Sequence, residues 1–152
     1  MRKDRGGFTL VEMLMVTLII GMLASLGMLK YIDLRSTARV ASLTADFRSV
    51  TVAALNYYAD HDVWPPEAGA GQTPQGLAQY LPGGLAASFD RTDYVLDYDH
   101  VAAGNFPLIS VSVSSSDTKL TAKFVNAFST KYPFYMNGDR LAYLIAGPGG
   151  TF

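Results

Sequence analysis

The chain has no cysteine, which excludes disulfides and thiolate metal sites. That absence does not argue for a reducing compartment, since an exported domain of this size can be stable without cross-links. Histidine occurs twice and tryptophan once, and neither His61 nor His100 has a nucleophile motif around it. No P-loop, HExxH or nucleophile elbow is present, so the expectation is that the protein is not an enzyme. Charged residues make up 16% of the chain against 49% hydrophobic ones, which excludes a disordered polyelectrolyte. A net charge of -1 gives no reason to expect a nucleic-acid partner. Proline is missing from residues 1–64, so nothing in that stretch breaks a helix sharply.

What is present is unevenly distributed. Residues 1–7 carry Arg2, Lys3 and Arg5 against Asp4, a net of +2, and the remainder carries a net of -3. Between Phe8 and Leu29 the only charge is Glu12. These residues would make about 22 residues of helix, roughly 33 Å, enough to cross the hydrocarbon core. A basic tip, an apolar run and a mildly acidic body is the charge order of a membrane-anchored chain with its tip in the cytoplasm. An ordinary secretory signal would have a shorter apolar run and a cleaner A-x-A exit. A plain single-pass anchor would not explain Glu12, because a carboxylate in hydrocarbon costs on the order of 2–3 kcal/mol and so marks a partner. Nor would it explain Gly6-Gly7 before Phe8, two glycines that disfavour helix and leave an accessible peptide bond just outside the membrane. Thr9-x-x-Glu12 also fits a helix capping box, a reading compatible with a functional one.

The run Gly7-Phe8-Thr9-Leu10-Val11-Glu12, behind a basic leader and ahead of an apolar helix, resembles the processing motif of type IV prepilins and type II secretion pseudopilins. The resemblance covers residues 1 to about 60 well and the rest weakly. It implies that a prepilin peptidase cuts after Gly7, the position whose loss cleavage tolerates least, and that Phe8 is then N-methylated. It also implies that Glu12 pairs with the N-terminal amine of a neighbouring subunit during assembly. The partners implied are identical or related pilin subunits, the peptidase, an inner-membrane assembly platform, and the membrane itself before assembly. The implied location is the inner membrane with the C-terminal body outside the cytoplasm, then a periplasmic or surface filament. Many major type IV pilins have a proline near the end of the apolar segment, where this chain has Gly27-Met28-Leu29-Lys30. That difference leans away from a motility-type major pilin. Glu12 leans toward a body-of-filament or ordinary minor subunit rather than a tip-capping one. A minor or initiator pilin with a ligand-binding body, and a non-assembling anchored binding domain, remain alternatives.

Beyond the apolar segment, Val40, Leu43, Phe47, Val50, Ala54 and Tyr57 recur at spacings of three and four, the seam of an amphipathic helix. Arg35, Arg39, Asp46 and Arg48 fall off that seam. One helix from about Phe8 to Asp60 would be about 80 Å long, ended by Asp62-Val63-Trp64-Pro65-Pro66. Residues 65–76 read as a loop, and Gly76–Leu81 as a short helix before a break at Pro82-Gly83-Gly84. Alternation predicts strands at Tyr94–Tyr98 and Leu108–Val113. Leu120, Phe124 and Phe128 predict a helix over Asp117–Ser129. Phe134–Met136, Asn137-Gly138 and Leu141–Ala146 predict a hairpin. The fold expected is α+β, the pilin fold, with a long N-terminal helix packed on a small antiparallel sheet. The segments are a leader (1–7), a membrane or filament-core helix (8–30), its amphipathic half (31–62) and a globular body (63–152).

The only acidic cluster is Asp90, Asp93, Asp97 and Asp99. Related pseudopilins bind calcium in a C-terminal loop with such oxygen ligands, and a solvated strand face is the competing reading, since Asp97 and Asp99 alternate on a strand. Apart from that calcium no cofactor is expected. Tyr57, Tyr58, Tyr132, Tyr135 and Tyr143 are expected to pack helix against sheet.

Overall fold

The structure, a computed structural model, describes residues 7–103, 106–128, 133–137, 140–147 and 150–151. The leader residues before Gly7, Tyr132 and part of the Asn137-Gly138 turn lie outside them. The chain divides into two compact units, one running up to Thr37 and one from Ala38 onward.

One helix, α1, runs over Leu10–His61 and passes through Gly21 and Gly27 without a break. Up to Thr37 its residues are exposed or half-exposed. From Ala38 it joins the body, where Leu43, Phe47, Val50 and Ala54 of the expected seam are buried and Val40 and Tyr57 pack at the edge of the core. The helix stops where Asp62 takes a left-handed φ of 56° and its N–H bonds to the Tyr58 carbonyl at 2.8 Å. This is a C-terminal cap of the kind glycine or asparagine usually supplies.

The following segment returns to the sheet. Gly71, at a φ of 80°, donates to the Leu96 carbonyl and accepts from Phe89 and Asp90. The short helix expected at Gly76–Leu81 is a single 3₁₀ turn over Ala78–Tyr80. A second helix, α2, occupies Gly83–Ala87, where Pro-Gly-Gly reads as a break. Pro82 stands at its N-cap, its carbonyl accepting from Leu85 and Ala86, and burial of Leu85 holds the turn in place.

Strands β1 (Val95–Ala103) and β2 (Phe106–Ser114) form a long antiparallel hairpin. Helix α3 (Thr118–Phe128) follows, capped by the Asp117 carboxylate, which accepts from Lys119 and Leu120. Strands β3 (Phe134–Asn137) and β4 (Arg140–Gly147) pair next, and the two-residue β5 (Gly150–Thr151) adds to the end of β4. The sheet order is β1-β2-β4-β3, antiparallel throughout. The expected α+β architecture is therefore the one observed.

The register sets the two faces of the sheet. Leu96, Tyr98, Val111, Val113 and Leu141 share one face and enter a common core with the α1 seam and with Leu120, Phe124 and Phe128 of α3. Tyr143 fulfils its expected role by stacking on Phe47, ring centroids 5.9 Å apart. Two tyrosines do otherwise. Tyr58 stacks on Trp64 near the end of α1, because its side of the helix looks away from the seam. Tyr135 lies on the opposite sheet face, where its hydroxyl donates to Ser110.

Candidate assembly site at the N-terminus

Gly7, Phe8 and Thr9 precede the first helical turn. Gly7 is exposed and has open space where a side chain would stand, and the Phe8 ring is 79% exposed. The Gly7–Phe8 peptide bond thus lies in non-helical, uncovered chain, the state in which a protease can reach it.

Thr9 caps the helix. Its carbonyl accepts the first helical bond, from Met13 at 3.2 Å. Its hydroxyl accepts from the Glu12 N–H at 3.2 Å, while its own N–H and hydroxyl donate to Glu12 Oε2 at 2.8 and 2.9 Å. This is the reciprocal capping box that the spacing implied. Glu12 is therefore held one turn from Phe8, its charge satisfied locally by a neighbour three residues back.

The rest of the segment presents apolar side chains outward on all sides, among them Leu14, Ile19, Leu23 and Leu26. Its few hydroxyls bond back within the helix, Thr17 to the Leu14 carbonyl and Ser25 to that of Met22. They add no unpaired donor that would resist an apolar environment. Among the described residues α1 is the helix long and apolar enough to cross a membrane.

The other sequence candidates are dispersed. Asp93 is paired with Arg39, which also reaches Asp117 at 3.9 Å. Asp97 is paired with Arg140, whereas Asp90 is exposed and tied through its backbone to Gly71, Ser88 and Val95. Burial pushes the Asp99 carboxyl above its ordinary value. Among the described residues no three histidine or carboxylate side chains gather in a way that would hold a metal ion. His61 stacks on Tyr57, and His100 Nδ1 bonds to the Pro65 carbonyl at 3.0 Å.

Asp46 falls off the apolar seam yet does not face solvent. It is buried at 8% exposure, accepting from Tyr94 and from Arg91. Gly76, at the end of the loop, has a steric role that periodicity does not show. A Cβ there would come within 2.9 Å of the Tyr57 ring, so glycine is what lets the loop close on α1.

Comparison with known proteins identifies two family models on the chain. The prokaryotic N-terminal methylation motif matches residues 2–28, and the PilW C-terminal model matches residues 36–81. A type IV major pilin protein, PilE1, from Neisseria gonorrhoeae is 34% identical over 65 residues, 43% of this chain and 30% of the relative. A second, PilE, from the same organism is 33% identical over 61 residues, 40% of this chain and 36% of the relative. The matches span about a third of the length of these relatives. No solved structure matches the chain.

Proposed function

We propose that the chain, which is similar to type IV pilins over its N-terminal half, is a structural subunit of a type IV pilus-like filament or a type II secretion pseudopilus, cleaved after Gly7 and assembled through α1. The observation that carries the reading is the placement of Glu12 one turn from an accessible Gly7–Phe8 bond, at the head of an outward-facing apolar helix. The likeness to major pilins weighs toward a pilus, and the proline-free end of the apolar segment leans away from a motility-type major pilin.

Chemistry makes cleavage and assembly one event. Before cleavage the Phe8 nitrogen is an uncharged amide. Cleavage removes a leader of net +2 and creates an α-ammonium that is mostly charged at neutral pH. A bundle of apolar helices then contains one cation and one anion per subunit. Each would be strongly unfavourable alone, so register is set by bringing the ammonium of one subunit to the Glu12 carboxylate of another. N-methylation of Phe8 preserves the positive charge. The role is structural rather than catalytic, with the chain held in the membrane until a platform moves it into the filament.

Electron microscopy and mass spectrometry of sheared surface filaments test this. The expected result is filaments whose bulk subunit is this chain, beginning at N-methylated Phe8. A chain that stays in the membrane uncleaved would overturn the proposal. A cleaved chain present only in trace amounts would instead mark a minor or initiating subunit.

A further inference from the structure

Between Arg48 and Arg91 the chain has no lysine or arginine, yet it holds the carboxylates of Asp60, Asp62, Glu67 and Asp90. Asp60 and Asp62 lie at the end of α1, beside Tyr58 and Val63, which are 40% and 56% exposed. This corner is ordered rather than frayed. Tyr80 donates to Asp60 at 2.6 Å, Tyr58 stacks on Trp64 with ring centroids 4.5 Å apart, and Asp62 turns the chain at a left-handed φ. It presents an apolar tip flanked by negative charge.

The same body carries the converse surface. A cavity of about 470 Å³ is lined by Val40, Phe47, Phe128, Phe134 and Tyr143, with Arg48 among its walls. Its aromatic side is fixed by stacking of Phe128 on Phe134 and of Phe47 on Tyr143. Arg48 is exposed, whereas Arg39, Arg91 and Arg140 are each committed to carboxylates of their own chain. An apolar slot with an outward arginine matches an apolar tip flanked by carboxylates in both polarity and charge.

We propose that the Asp62–Val63 corner of one subunit docks into the Arg48 cavity of the next, with Val63 in the slot and Asp62 facing Arg48. The inference rests on the filament reading above and names a body-to-body contact within it. The occupant is a second copy because both halves of the match lie on one chain. They are different patches, so the contact is heterologous and propagates head to tail rather than pairing two copies. Charge orients the encounter, and the buried apolar tip holds it.

The test uses the full-length chain in a filament-forming host. Asp62→Arg or Arg48→Asp alone is expected to lower the yield of sheared filaments about tenfold. The double reversal is expected to restore it to within about threefold of the parent. Because the chain has no cysteine, Arg48→Cys combined with Asp62→Cys gives an independent readout. Under mild oxidation the double variant should yield a ladder of disulfide-linked multimers from intact filaments, and neither single variant should. Single reversals that assemble like the parent, or intact double-cysteine filaments that give no ladder, would overturn the contact while leaving the filament reading standing. A parent chain that forms no filaments overturns both.

Discussion

The Tyr94 hydroxyl donates a 2.8 Å hydrogen bond to Asp46 and so ties the start of the sheet to the middle of α1. Arg91 Nε donates to the same carboxylate oxygen at 3.1 Å. Burial pushes the Tyr94 hydroxyl up to about 12, so it stays a protonated donor at neutral pH. Replacing Asp46 with alanine leaves a partly buried guanidinium without its acceptor and the Tyr94 hydroxyl with the weaker contact to Ser42 at 3.3 Å. The expected loss is about 2–3 kcal/mol of stability, and about 1 kcal/mol for Tyr94→Phe. Thermal unfolding of the full chain in detergent measures both. An Asp46→Ala variant as stable as the parent would show the trio to be incidental.

Asp46 also marks where reading the sequence falls short. Helical periodicity assigns a charge off the apolar seam to solvent, and its partners lie 45 and 48 residues away, brought near only by the tertiary fold. The long helix, α3, strands within β1 and β2, and the β3–β4 hairpin were legible because their signals repeat every two, three or four residues. Helix α2 was not, because Gly83 and Gly84 have poor helix propensity and what holds them is burial of Leu85. A two-residue strand such as β5 has no period to read. At the N-terminus the Thr9–Glu12 bond was legible because it spans only three residues.

Gly76 should resist substitution. Its φ of 83° strains any L side chain, and an added Cβ would stand 2.9 Å from Tyr57 Cε2. Gly76→Ala is expected to cost about 1–3 kcal/mol. Trimming Tyr57 to alanine removes the clash but not the strain. The two changes together should therefore cost less than the sum of the two alone, in thermal unfolding of the four proteins of the cycle. Strict additivity would show that the ring is not what excludes a side chain there.

Asp99 makes the body's stability fall with pH in the acid range. Burial raises its carboxyl above the ordinary value of 3.8, with a smaller push from the like charge of Asp97. The folded state then binds the proton more tightly than the unfolded state. Stability from this group is present below the unfolded value and is lost as pH rises through the folded one. Asp99→Asn should raise the melting temperature at pH 7 by about 2–4 °C, a small gain because Asp99 is partly solvated. The gain should disappear near pH 3. A loss of stability at pH 7 would show instead that the charged form is favoured in place.

Glu12 has two roles that substitution can separate. In the single chain it completes the capping box with Thr9, and in a filament it would receive the ammonium of a neighbouring Phe8. Loss of a cap costs about 1 kcal/mol and frays only the first turn of a 52-residue helix. Loss of the counter-ion leaves a cation unpaired in an apolar bundle, on the order of 3–5 kcal/mol per subunit. Glu12→Ala should therefore be cleaved and inserted normally yet yield less than about one hundredth of the parent's filaments. Thr9→Val removes the hydroxyl from the cap but keeps the carboxylate, and should assemble within about threefold of the parent. Immunoblots for processing, membrane fractionation and quantified sheared filaments give the comparison. Normal filaments from Glu12→Ala would remove the ion pair from the mechanism. Equal failure of both variants would assign the role to the cap.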